Sequence, residues 1–249
     1  MKTFLTQTCG CVHVNMNYRL VGNGGGLDAP PNAKLPYEQM LDDIQSVIGY
    51  LQAHADVYHV DASKIALMGY SAGGHLAMLY AYSTADNYAN SNDNPIKLVV
   101  SEAGPTDLTT VWGDLAVNVY AMLGDDSNSL DASPIYQISN NVPFTILAYG
   151  NGVASAYNHY NGLNGDSLIP YSQVDAITRT FDGLANSVDR YVLYTFDGVA
   201  HEQFGEGNGK VVYPNVAIEE NDDAEERALK TVIQNYYNTI SNKLQELAE

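Results

Sequence analysis

The sequence has few cysteines, few basic side chains and no long apolar run among its 249 residues. Its two cysteines, Cys9 and Cys11, are too few for a disulfide framework, and on a strand they would face the same side as buried thiols. A strained disulfide or redox site between them is the alternative. No membrane-spanning helix is predicted, and the first eight residues are too few and too polar to predict a secretory signal.

Basic residues are scarce: the chain has 11 Lys and Arg and 29 Asp and Glu, which gives a net charge of -18. Such a field repels nucleic acid and anionic membranes, and it favours neutral or cationic substrates. Neither nucleic acid nor a membrane is therefore expected as a partner. Tyrosine is abundant, with 19 residues. These tyrosines could line a sugar- or aromatic-binding surface, or they could simply pack at half-buried positions.

Strand-like and helix-like segments alternate along the chain. Alternating or apolar runs predict strands at 11–18, 64–68, 96–101, 144–150 and 190–196, whereas helical spacing of apolar residues predicts helices at 37–53, 74–83, 174–185 and 224–247. Strands that alternate with helices indicate the α/β class, with a doubly wound, mostly parallel sheet flanked by helices. We expect a single domain over residues 1–249, since no repeat or linker divides the chain.

The residues Gly-Tyr-Ser-Ala-Gly at 69–73 lie between an apolar strand and a helix, which is the setting of a nucleophile elbow. The turn would hold Ser71 in a strained backbone conformation at a helix N-terminus that favours developing negative charge. A Cβ at Gly69 or Gly73 is expected to collide with the neighbouring strand or helix. The alternative is an ordinary glycine-rich turn.

A serine nucleophile needs a base, and in this arrangement the acid follows the serine and the histidine comes last. His201 follows the last strand and is the predicted base. His75 lies one turn after Ser71, pointing away, and is expected to pack or cap. For the acid, Asp166 is favoured over Asp107, although either aspartate is also a common turn former or helix cap.

With these residues assembled, the chain resembles the α/β-hydrolase superfamily, and within it the carboxylesterase and lipase group that includes bacterial feruloyl- and acetylxylan-esterase-like proteins. The matching segments run through nearly the whole chain from about residue 10, in a specific order. They are Asn17–Leu20, Asp61–Ile65, Gly69–Ala77, Gly104–Leu108, Ala132–Ile135, Asp166–Gln173, and His201 with Phe204. The resemblance implies Ser71 as nucleophile, Asp166 as acid, His201 as base and Asp107 as a structural turn residue.

Two departures from the family pattern concern the oxyanion hole and a loop. In such proteins a His-Gly-Gly motif on an earlier strand supplies one oxyanion amide, and no such motif occurs here, so an N-terminally shortened fold is expected. The nucleophile elbow at 69–73 provides only one expected oxyanion donor, the backbone amide of Ala72. The residues Asn23–Gly26 are a candidate second donor, with a flexible loop as the alternative. The Tyr- and Asn-rich loop at 151–165 either overhangs the pocket or is a surface excursion.

These features predict a serine carboxylesterase that acts on small carboxylic esters, with acyl or feruloyl esters of carbohydrates as candidates. Tyr70 and Trp112 are candidate pocket residues, and a core anchor is the alternative for Trp112. No metal or organic cofactor is expected, nor any assembly beyond a monomer or small homo-oligomer. As the sequence stands a cytoplasmic location is expected, and secretion if a segment precedes Met1. The alternatives are a prolyl-oligopeptidase-like peptidase and a catalytically impaired binding protein.

Overall fold

The fold is described from a computed structural model of the chain. The described residues are 1–20, 36–89, 92–110, 119, 121–124, 126–151, 169–185, 190–205 and 210–248. Several sequence predictions fall on the remaining positions and therefore lie outside the described residues. They concern Asn23–Gly26, Trp112, the segment 152–165 and Asp166.

Four parallel strands form the described sheet. They are β1 (Ile65–Tyr70), β2 (Ile96–Glu102), β3 (Phe144–Gly150) and β4 (Tyr191–Phe196), hydrogen-bonded in the order β1-β2-β3-β4. The register pairs Met68 with Val100, which also pairs with Ile146. Near-continuous apolar sequence is typical of parallel strands, because both faces of such a sheet are covered. The four strand predictions from residue 64 onward are confirmed.

Among the described residues, five α-helices connect or cover these strands. They are α1 (Pro36–Ala53), α2 (Ala55–Tyr58), α3 (Ala72–Ser83), α4 (Tyr171–Asp182) and α5 (Ala224–Ala248). Proline at the first position of α1 suits a helix start, because the N–H that it lacks would have no partner inside the helix. Asp223 caps α5, since its Oδ1 accepts hydrogen bonds from the amides of Glu225 and Glu226, both at 2.9 Å. The predicted helix at 174–185 begins and ends three residues earlier than expected.

Helices cover both faces of the sheet, as a doubly wound arrangement requires. On one face α1, α3 and α4 bury residues such as Ile44, Leu76 and Ile177 against Val99 and Leu147. On the other face α5 buries Ile233, Tyr236 and Ile240 against alternate strand residues that include Val100 and Ile146. Each large apolar side chain that is fully buried contributes about 1.5–3 kcal/mol.

The predicted strand at 11–18 is wrong, because residues 10–20 form neither helix nor strand. Alternation reports which side chains face the interior, whereas a strand also needs a neighbouring strand to pair with. Here Met16 and Tyr18 pack against the core while Val12 and Val14 are exposed. The segment is held instead by Arg19, whose guanidinium donates to Asp43 on α1 at 3.0 Å.

The two cysteines lie at the end of a short π-helix, Phe4–Thr8, and not on a strand. Cys9 is buried, Cys11 is half-buried, and both are free thiols. Burial raises the pKa of each thiol above its ordinary value. The expectation of thiols is confirmed, but their placement on a common strand face is not.

Candidate active site

Ser71 lies in a sharp turn between β1 and α3. Its backbone has φ 53° and ψ -120°, a conformation that residues with a Cβ adopt rarely and at a cost. The Ser71 amide donates to the carbonyl oxygen of Glu102 on β2 at 2.7 Å, and the Ser71 carbonyl accepts from the His75 amide at 3.0 Å. The strand therefore ends and the helix begins within one residue, and Ser71 remains partly exposed above the sheet edge.

Glycines allow this turn to pack closely, though not all at the predicted positions. A Cβ at Gly69 would overlap the backbone of Gly73, as expected. The same expectation for Gly73 is wrong, because an added Cβ there meets nothing within 4 Å. The second tight position is Gly74, where a Cβ would lie 2.8 Å from Ser101 Oγ. Gly104 packs against the same residues, and a Cβ there would lie 2.7 Å from the amide nitrogen of His75.

His201 reaches Ser71 from the far edge of the sheet. Strands β1 and β4 are three positions apart, so about 14 Å separates them at a spacing of about 4.8 Å per strand. The residues that follow β4 run back over the end of β3, where a Cβ at Gly150 would overlap the carbonyl oxygen of Val199. His201 then begins a short 3-10 turn, is buried, and places Nε2 at 2.9 Å from Ser71 Oγ.

The loop that carries His201 is held by side chains as well as by its own backbone. Asn151, just after β3, accepts from the Gly198 amide at 2.8 Å and donates to Asp197 at 2.6 Å. Gln203 accepts from the Ala200 amide at 2.7 Å. These bonds hold the backbone at residues 198 and 200, just before the turn, and so restrict where the imidazole can lie.

His75 is a packing histidine, as expected. It is buried in α3, and its Nε2 donates to the carbonyl oxygen of Ala132 at 2.8 Å, which fixes the ring proton on Nε2. Burial lowers the pKa of His75 to about 4, so the ring stays neutral. His54, between α1 and α2, bonds to the carbonyl oxygen of Tyr50 on α1, and among the described histidines it is His201 that is hydrogen-bonded to Ser71.

Of the two candidate acids, Asp107 lies within the described residues and Asp166 does not. Asp107 is buried in the turn after β2, and its Oδ1 accepts from the amide of Thr109 at 2.9 Å and from the Thr109 hydroxyl at 2.5 Å. The carboxylate thus closes its own turn, which fits a structural role. Asp166 lies outside the described residues.

Sequence reasoning missed a buried acid beside the elbow. Glu102 ends β2, and its Oε1 accepts a hydrogen bond from Tyr236 of α5 at 2.9 Å. Burial raises the pKa of Glu102 to about 7. A charged residue that closes an apolar strand was the available signal, although nothing local to the strand indicates a partner 134 residues away.

Tyr70 borders the site, and Ala72 presents the helix N-terminus to it. Tyr70 is 38% exposed, and its hydroxyl donates to the carbonyl oxygen of His201 at 2.7 Å. Ala72 is exposed at the first position of α3, where backbone amides have no partner within the helix. Within the described parts of the chain there is no cluster of three or more His, Cys, Asp or Glu that could hold a metal ion, and no helix long and apolar enough to cross a membrane.

A strained serine between a parallel strand and a helix, joined to a histidine after the last strand, defines the class as the α/β hydrolases. The solved structure of a truncated carbohydrate esterase from gut microbiota has the same fold, with a TM-score of 0.57 over 84% of this chain and 68% of that one at 16% identity. The chain belongs to the BD-FAE family, whose model matches residues 1–155. That match includes Ser71 but ends before His201.

Two curated relatives match parts of the chain. An AB hydrolase superfamily protein of Schizosaccharomyces pombe is 31% identical over 102 residues, which cover 40% of this chain and 27% of that protein. Endo-1,4-beta-xylanase B of Butyrivibrio fibrisolvens is 26% identical over 170 residues, which cover 62% of this chain and 26% of the xylanase. The chain therefore spans about a quarter of the length of each relative.

Proposed function

We propose that this protein is a serine esterase that hydrolyses small carboxylic esters through an acyl-enzyme intermediate. The observation that carries the proposal is the 2.9 Å contact between Ser71 Oγ and His201 Nε2, which joins residues 130 positions apart at the carboxyl edge of a parallel sheet. Hydrogen-bond distance between nucleophile and base is the geometric requirement for this chemistry. Membership of the BD-FAE family supports the same assignment.

In the proposed mechanism Ser71 attacks the ester carbonyl while His201 takes the hydroxyl proton on Nε2. Asp166 orients the imidazole and stabilises the imidazolium, as the family resemblance implies. The protonated His201 then donates to the leaving alcohol, and a water molecule activated by the same histidine hydrolyses the acyl-enzyme. The strained elbow supports this role, because it presents Oγ above the sheet, where a substrate can reach it.

The oxyanion of the tetrahedral intermediate is proposed to accept from the Ala72 amide at the N-terminus of α3. Loss of one oxyanion donor costs on the order of 3 kcal/mol, so a second donor matters for the rate. The backbone amides of Asn23–Gly26 remain the proposed second source, on sequence grounds alone.

Small esters of carbohydrates are the proposed substrate class. The net charge of -18 favours neutral substrates over anionic ones, and two of the similar proteins are named a xylanase and a carbohydrate esterase. Hydrolysis of an acetylated xylo-oligosaccharide, compared with that of a charged acyl ester, tests this part of the proposal independently of the mechanism.

The esterase assignment is tested with p-nitrophenyl acetate. Turnover is expected in the wild-type protein and its loss in Ser71→Ala and His201→Ala, whereas Ser46→Ala, an exposed serine on α1, should retain full activity. Intact-mass analysis after treatment with a fluorophosphonate should show one adduct in the wild type and none in Ser71→Ala. Cleavage of a peptide p-nitroanilide in preference to the ester would instead identify a peptidase, and absence of both activities a binding protein.

A further inference from the structure

Three contacts form a closed ring around the proposed nucleophile and base. Tyr70 and Ser71 are joined by a peptide bond, the Tyr70 hydroxyl donates to the His201 carbonyl oxygen at 2.7 Å, and His201 Nε2 lies 2.9 Å from Ser71 Oγ. Of these two adjacent elbow residues, Tyr70 thus bonds to the main chain of His201 and Ser71 to its side chain.

The Tyr70 ring is itself packed against the histidine turn. Its centroid lies 5.2 Å from that of the His201 imidazole, at an interplanar angle of 39°, and 6.1 Å from the ring of Phe204. Phe204 is buried and packs edge-on against Phe196 at the end of β4, with centroids 5.7 Å apart. The tyrosine therefore has a fixed support on the side of the histidine and remains 38% exposed on the other.

The His201 turn needs such a support because it lies far from its own strand. It crosses the end of β3 before it reaches Ser71, and the bonds from Asn151 and Gln203 hold the backbone at residues 198 and 200. The Tyr70 hydrogen bond acts on the carbonyl of residue 201 itself. It thereby links the position of the imidazole directly to β1, the strand that carries Ser71.

We propose that Tyr70 is a positioning residue, whose hydroxyl sets the distance between His201 and Ser71 by holding the His201 carbonyl. This inference rests on the proposed function and assigns Tyr70 a role beyond that of a pocket-lining side chain. Displacement of a reacting group by about 1 Å can lower a rate about a hundredfold. Loss of the hydroxyl should therefore affect the chemical step, while the partly exposed ring is retained.

Tyr70→Phe is expected to lower kcat for p-nitrophenyl acetate by about ten- to a hundredfold with KM nearly unchanged. The matched control is Tyr194→Phe, which removes another sheet tyrosine hydroxyl, bonded to Thr239 of α5 at 2.6 Å, and should leave kcat unaltered. Thermal unfolding of both variants checks that the folded fraction is the same. An increase in KM at constant kcat would make Tyr70 a substrate-binding residue and overturn the proposal, as would an unaltered kcat.

A double-mutant cycle separates positioning through His201 from any other effect of the hydroxyl. In a His201→Ala background, Tyr70→Phe should cause no further loss of the residual activity, because the tyrosine then has no imidazole to position. An equal loss in both backgrounds would overturn the inference. If Ser71→Ala and His201→Ala themselves leave turnover intact, the proposed function fails, and that outcome is distinct from a silent Tyr70→Phe in an otherwise normal esterase.

Discussion

The backbone amide of Ser71 donates to the carbonyl oxygen of Glu102 at 2.7 Å, one residue beyond the last paired positions of β1 and β2. The ladder therefore continues up to the residue at which the chain turns. After this bond Ser71 adopts φ 53° and its carbonyl starts α3 by accepting from His75. Strand pairing on one side and helix hydrogen bonding on the other hold a conformation that would otherwise cost about 1–3 kcal/mol.

Backbone strain at Ser71 predicts an unusual order of stabilities. Ser71→Gly should be more stable than Ser71→Ala by about 1 kcal/mol, since relief of strain exceeds the added entropy of glycine in the unfolded chain. Urea unfolding measures both, and neither variant need be active. At the helical control position Ser46, alanine should instead be more stable than glycine by about 1 kcal/mol. The same order at both positions would show that Ser71 is unstrained.

The glycines of the elbow differ in what they tolerate. Gly69→Ala should destabilise the protein by at least ~3 kcal/mol, because the new methyl group overlaps the backbone of Gly73, which no rotamer change can relieve. Gly73→Ala is the matched control in open space on a helix and should be neutral or stabilising by up to about 1 kcal/mol. Chemical denaturation of the pair measures the difference, and similar stabilities would contradict it.

The acid assignment predicts contrasting effects of two aspartate substitutions. Asp107→Asn should retain most esterase activity, because the asparagine oxygen can still accept from the Thr109 amide. Asp166→Asn should lower kcat on the order of 10⁴-fold if that residue orients His201. Steady-state kinetics on p-nitrophenyl acetate compare them, and a collapse of kcat in Asp107→Asn with normal unfolding would reassign the acid.

Two buried groups near the elbow give opposite pH dependences of the unfolding free energy. The pKa of Glu102 is raised from 4.5 to about 7, so between these values the folded state keeps a proton that the unfolded state loses, and stability falls as pH rises. The pKa of His75 is lowered from 6.5 to about 4, so the unfolded state binds the extra proton and stability rises with pH. Each effect is on the order of 3 kcal/mol.

Between about pH 4.5 and 6.5 the two effects oppose each other, so removal of either group should expose the other. Relative to wild type, stability should rise more steeply with pH in Glu102→Gln and fall with pH in His75→Gln. Urea unfolding at several pH values in this window measures the slopes. Glu220→Gln, at an exposed position, is the control, and slopes equal to wild type in both buried variants would refute the argument.

Local patterns predicted much of the fold because the sheet is buried on both faces. Apolar runs such as 96–101 stand out against their polar flanks, and the glycine-bounded Ser71 marks where a strand turns into a helix. Chain order together with the position after the last strand selects His201 as the partner of Ser71, and the two side chains lie 2.9 Å apart. The role of Asp166 stays a prediction, since its position is outside the described residues.

What sequence could not provide are contacts that depend on three-dimensional proximity. The alternation at 11–18 reports an amphipathic segment, but whether it pairs depends on a neighbouring strand that local sequence does not specify. Tyr70 meets His201 across 131 positions and Glu102 meets Tyr236 across 134, and neither pair leaves a local signal. For the same reason the sequence correctly predicts a tight glycine at position 69 but places the second at 73, whereas the approach of Ser101 and Gly104 makes it position 74.

The close approach of Gly74 and Gly104 beneath the elbow has a practical consequence for protein engineering. A methyl group at Gly104 would lie 2.7 Å from backbone atoms of Gly74 and His75, and one at Gly74 would lie 2.8 Å from Ser101 Oγ, so substitution at either site should destabilise the support of the elbow. Ala72 and Gly73 instead face open space above the same turn. Directed evolution of acyl-group preference is best concentrated on those outward positions, where sequence diversity leaves the support of Ser71 intact.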